Sequence, residues 1–107
     1  MAQQYKVIIT PFAELGLENI VKYIGENAST EVANKVLDGI LEAIDDLSYM
    51  PQKNTIIPEI SEQKIYRRIL KWSYKIVYTI REEDILVVVV DIAHSKRDPQ
   101  RLIDYFG

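Results

Sequence analysis

The run Ile85-Leu-Val-Val-Val-Val near the end of the chain constrains the fold more than any other segment. Successive side chains of a strand point to opposite faces, so a run of apolar and β-branched residues without alternation offers water no polar side. Such a strand belongs in the centre of a sheet, or has both faces covered. The rest of the chain must supply the covering layers.

Two segments upstream can cover one face. Tyr5 to Ile9 is a short β-branched run that stops at Thr10-Pro11, where Thr can cap a helix and Pro can occupy its first turn. Ala13, Leu17, Ile20 and Ile24 then recur at helical spacing, with Glu14, Glu18, Lys22 and Glu26 on the other side. Gly25 and Asn27 weaken the end of this helix, and Ser29 or Thr30 can cap a second one carrying Ala33, Leu37, Ile40, Ile44 and Leu47. Two such helices joined by a few residues make an antiparallel hairpin whose apolar side needs a sheet.

Met50-Pro51 closes the second helix, and the aperiodic stretch to Lys64 reads as an exposed connector. Three strand-like runs follow, Tyr66 to Leu70, Tyr74 to Arg81 and Ile85 to Ile92, with Glu82-Glu83-Asp84 as a turn. They are expected to form an antiparallel meander. Tyr74, Ile76, Tyr78 and Ile80 give the middle run one apolar face. The tail holds Leu102, Ile103, Tyr105 and Phe106 and is expected to fold back. The expected fold is thus α+β: an N-terminal strand, then an antiparallel helical hairpin packed on an antiparallel sheet of about four strands. With 107 residues, a single domain spans 1–107.

Composition narrows the function. The chain has no cysteine, which removes disulfides and thiolate metal sites and fits a cytoplasmic location. No stretch approaches a membrane span, and the start lacks the pattern of an export signal. Net charge is −3, but residues 1–63 carry four Lys/Arg against ten Asp/Glu, whereas residues 64–107 carry nine against six. That asymmetry reads equally as a face for a polyanion or acidic partner and as a solvated rim.

With one histidine and scattered glycines, neither a metal site nor a nucleotide-cofactor loop is expected. Asp45-Asp46 and Glu82-Glu83 read as solvated charges. What remains is Lys64, Arg67, Arg68, Lys71, His94, Lys96, Arg97, Arg101 and Tyr105. Metal-free RNA cleavage needs proton movers and fixed cations where phosphate charge develops, and these side chains are of those types. Arg67 and Arg68 are adjacent in a strand, so at most one of them serves a given site.

Tyr66-Arg-Arg-Ile-Leu, Tyr74-Lys-Ile-Val-Tyr-Thr-Ile and Ile92-Ala-His-Ser-Lys-Arg-Asp-Pro, on this order of elements, resemble the RelE/ParE toxin superfamily. The resemblance implies the toxin half of a type II toxin–antitoxin, or plasmid-stabilisation, system. Members either cut mRNA on the ribosome or poison DNA gyrase. Arg68 is similar to the strand arginine of the RNA-cutting members, and Arg97 to a second phosphate-contacting arginine. On the nuclease alternative His94 or Tyr105 would move protons. The His94-x-x-Arg97-Asp98-Pro99 ending is closer to ParE-like members, Lys64 stands without a lysine cluster, and Ile103 occupies the nuclease tyrosine position. The resemblance therefore implies a gyrase-binding toxin with Lys64, Arg67, Lys71, Lys96, Arg97 and Arg101 on the target surface. Its alternatives are a ribosome-dependent mRNA endonuclease or an inactive antitoxin-binding member. No cofactor is implied. The implied partner is a cognate antitoxin, short, with a DNA-binding start and a helical tail. Self-association as a homodimer is another use of an exposed sheet edge.

Overall fold

The computed structural model describes residues 3–96. β1 (Lys6–Ile9) leads into α1 (Pro11–Asn27), α2 (Thr30–Asp45), β2 (Thr55–Ile56), β3 (Arg67–Lys71), β4 (Tyr74–Arg81) and β5 (Leu86–His94). Both helix starts follow from the capping residues. The Thr10 side chain accepts the Ala13 N–H at 3.2 Å with Pro11 in the first turn, and the Ser29 side chain accepts the Val32 N–H at 3.0 Å. Leu47 lies just past α2, in a 3₁₀ turn over Asp46–Ser48, and is still buried.

The hairpin of α1 and α2 covers one face of the sheet. Ala13, Leu17, Ile40 and Ile44 meet Ile76, Tyr78, Val87, Val89 and Ile92 in the main core. Each fully buried aliphatic side chain here contributes roughly 1.5–3 kcal/mol relative to exposure. α1 passes close to β5 at Gly16, where a Cβ would collide with the Ile92 carbonyl oxygen.

The sheet order is β1-β5-β4-β3-β2. β3, β4 and β5 form the antiparallel meander, and the β-branched run of β5 is central, between β4 and β1. Two expectations are corrected. The sheet has five strands and is mixed, because β1 pairs parallel to β5 from Lys6↔Leu86 to Ile9↔Val89. No hairpin ties β1 to its neighbour, so nothing local forces an antiparallel direction.

The stretch from Met50 to Lys64 is not merely an exposed connector. It supplies β2 at the sheet edge, pairing Thr55↔Arg68 and Ile56↔Arg67, and buries Pro51, Ile57 and Ile60. Ile57 and Ile60 join Val77 and Val90 in a second small core on the sheet face away from the helices, with Phe12, Tyr66 and Val88 packed alongside. This layer covers the other side of β5. It also buries Thr79, whose hydroxyl donates to the Ile65 carbonyl at 2.8 Å.

Candidate functional site

The hairpin between β3 and β4 turns on Trp72-Ser73, which sets Lys71, Tyr74 and His94 in one row across three strands, Lys71↔Tyr74↔His94, on the helix-facing side. The Tyr74 and His94 rings meet edge-on, with centroids 6.1 Å apart and planes at 80°. The Ser95 N–H donates to the Ser73 carbonyl at 2.8 Å and fastens the end of β5 to the turn. Trp72 adopts φ 54, which is unusual for an aromatic residue. Gly39 of α2 provides its seat, since a Cβ there would collide with the indole ring, and Lys71 Nζ lies 4.8 Å from the ring centroid.

Next to this row, α1 and the strand ends enclose a groove of about 490 Å³. Helix α1 contributes Gly16, Asn19, Ile20 and Tyr23, and the facing wall includes Tyr74 and His94. His94 is exposed, and its Nδ1 accepts the Lys96 backbone N–H at 3.2 Å. Asn19, Tyr23 and Trp72 were not singled out from the sequence. The signal available there was Gly16, because a glycine inside a helix costs about 1 kcal/mol against alanine and marks a close approach.

The anticipated cations do not gather at one place. Arg68 registers with Val77, which registers with Asp91, so it lies on the face opposite Lys71, Tyr74 and His94. Arg67 is on the helix-facing side, but its guanidinium donates to the carbonyls of Gln52 and Asn54, both at 2.8 Å. It clasps the connector. Lys64 is exposed ahead of β3, and Lys96 is exposed beyond β5. Arg97, Arg101 and Tyr105 lie outside the described residues.

The connector is fastened by more than Arg67. The Tyr78 hydroxyl donates to the Pro51 carbonyl at 2.6 Å and accepts from Asn54 Nδ2 at 2.9 Å, and burial raises its pKa. Tyr5 donates to Glu82 at 2.6 Å, and Gln52 donates to Tyr5 at 2.6 Å and to Glu82 at 3.1 Å. These bonds hold the Glu82 carboxyl below its ordinary pKa, Tyr5 contributing most and Gln52 next. The bond to Glu82, followed by burial, raises the Tyr5 phenol. Glu82 is therefore a structural acceptor as well as a turn residue.

Residues 7–99 match the model of the ParE toxin of the type II toxin–antitoxin system parDE. The chain belongs to the ParE toxin family. Its fold is shared with the chromosomal ParDE toxin–antitoxin system of P. aeruginosa, at 14% identity over 87% of this chain and 98% of the other, with a TM-score of 0.71. The RelBE2 complex of Mycobacterium tuberculosis is similar at 20% identity over 86% and 92% of the two chains, with a TM-score of 0.64. The archaeal RelE–RelB complex of Pyrococcus horikoshii follows at 19% identity over 90% and 100%, with a TM-score of 0.59. No curated protein sequence matches the chain. The ParE family and the RelE/ParE-like α+β fold agree with the resemblance of the strand and tail motifs. Among the described residues no helix of this toxin is long and apolar enough to cross a membrane.

Proposed function

We propose that this ParE-family toxin arrests growth by binding DNA gyrase, in the cytoplasm, and is held inactive by a cognate antitoxin. The observation that carries the choice is the separation of Arg68 from His94. Metal-free RNA cleavage requires a phosphate-holding cation and a proton mover converging on one phosphodiester. In this chain Arg68, the strand cation, lies on the face of the sheet opposite His94, and the cation that shares the His94 row, Lys71, is engaged over the Trp72 ring. The family match to ParE supports the same reading. Binding requires only a surface, and Lys71 and His94 in one row, with Lys96 just beyond the end of β5, supply positive or hydrogen-bonding groups for one, continued by Arg97 and Arg101 in the sequence.

The antitoxin part rests on the similar ParDE and RelBE2 toxin–antitoxin systems and on an edge that can accept a strand. β1 is an outer strand whose Lys6 and Thr10 N–H groups point inward to Ile85 and Val89, so by alternation Val7 and Ile9 turn theirs outward. A short partner encoded beside this chain is expected to co-purify with it and relieve its toxicity.

Purified toxin incubated with gyrase and supercoiled DNA is expected to give stabilised double-strand breaks. Ribosome-dependent cuts in mRNA, with no gyrase effect, would overturn the reading in favour of the nuclease alternative. Arg97→Ala is expected to abolish growth arrest while leaving the circular dichroism spectrum unchanged. Full toxicity in that variant would move the contact surface elsewhere.

A further inference from the structure

We propose that the groove between α1 and the ends of β4 and β5 binds an adenine nucleotide, independently of which macromolecule the toxin inhibits. Its volume, about 490 Å³, falls within the range of small-molecule sites. Three aromatic side chains line it, Tyr23 from the helix and Tyr74 and His94 from the sheet. Because the Tyr74 and His94 planes cross at 80°, a flat ring stacked on one meets the edge of the other. Tyr23 is 68% exposed, so its ring is accessible to a ligand in the groove.

The polar groups select among flat ligands. Asn19 is the one side-chain amide among the described lining residues, and an asparagine amide pairs in bidentate fashion with the N6 and N7 edge of adenine. His94 Nδ1 is already occupied by the Lys96 N–H, so the neutral ring carries its proton on Nε2, which is left to donate to an anion. Lys96, exposed and two residues on in the chain, lies outside the lining and carries a positive charge. None of the described lining residues is acidic, so nothing in the wall repels a phosphate. A stacking wall, an amide for the base edge and an imidazole N–H donor for the phosphate, in a wall without acidic side chains, together describe a nucleoside monophosphate.

The test is a titration of the full chain with adenosine monophosphate, followed by ¹⁵N–¹H correlation spectra and by calorimetry. Saturable shifts are expected at the Gly16 and Ala93 amides and the Asn19 side chain, with a Kd below about 1 mM. Adenosine and inorganic phosphate, each lacking half of the contacts, are expected to bind more weakly. Tyr23→Ala and His94→Ala change exposed side chains and are expected to weaken binding about tenfold each, consistent with loss of one stacking or charge-assisted contact. No saturable shift up to about 10 mM ligand would overturn the proposal. So would shifts confined to residues outside the groove, unchanged affinity in Tyr23→Ala, or binding of an oligoadenylate without binding of the mononucleotide.

Discussion

Gly39 and Trp72 make each other necessary. A left-handed backbone at a bulky residue costs roughly 1–3 kcal/mol, and packing of the indole over the bare backbone of Gly39 offsets it. Gly39→Ala is therefore expected to destabilise the protein by about 1–3 kcal/mol in urea and to red-shift the emission of Trp72, the sole tryptophan. Gly16→Ala is expected to cost more, because the obstacle there is the Ile92 backbone and not the far end of a side chain. The Tyr5–Glu82 bond carries a signature in pH. Glu82, lowered from 4.5, contributes stability that is present above that value and is lost as pH falls through its folded pKa. Tyr5, raised from 10.0, contributes stability that is complete below that value and is lost as pH rises through its folded pKa. Tyr5→Phe removes the largest cause of the Glu82 shift, so urea midpoints of this variant are expected to fall less steeply than wild type below pH 4.5. An unchanged acid limb would show that the bond does not form in solution.

The connector between α2 and β3 shows how an element without its own periodicity can be structural. Its backbone carbonyls at Pro51, Gln52 and Asn54 are held by Tyr78 and Arg67, and its two buried isoleucines cover the far face of the sheet. Arg67→Ala leaves two acceptors without their cation and is expected to cost about 1–3 kcal/mol. It should also accelerate hydrogen exchange at Ile57, whose N–H donates to the Tyr66 carbonyl at 2.8 Å. Arg68→Ala, one residue on, points to the other face and makes neither of these bonds, so exchange at Ile57 is expected to stay near the wild-type rate. Equal effects from the two arginines would refute the assignment of Arg67 as the clasp. At the helix starts, Thr10→Ala is expected to cost about 1 kcal/mol through loss of the cap.

Across the whole molecule, pairing of β1 with β5 joins the beginning of the chain to its last described strand. The two helices have nothing to bury their apolar side against until that sheet exists, and the helix-facing side of the sheet has no cover without them. Unfolding is accordingly expected to be a single transition in which Trp72 fluorescence and far-ultraviolet circular dichroism coincide. Separate midpoints would mean that the hairpin and the sheet unfold independently. The same arrangement separates the basic residues of the final third. Adjacent strands share faces only by register, so Lys71 and His94 come together while Arg68 turns away, although all three lie within 27 positions of one another in sequence.

The two helices, their caps, the meander and the central place of β5 follow from the sequence itself, because each depends on spacing and chemistry within a few residues of the chain. Thr10, Ser29 and the stepping from Ala13 to Ile24 carry that information locally. The motifs of β3, β4 and the end of β5 carried the family in the same way. Only the tertiary structure decided the parallel direction of β1, the covering role of Ile57 and Ile60, the engagement of Arg67 and the groove beside Tyr23 and His94. Each of these is a meeting between residues distant in the chain, where no local period or cap records the partner.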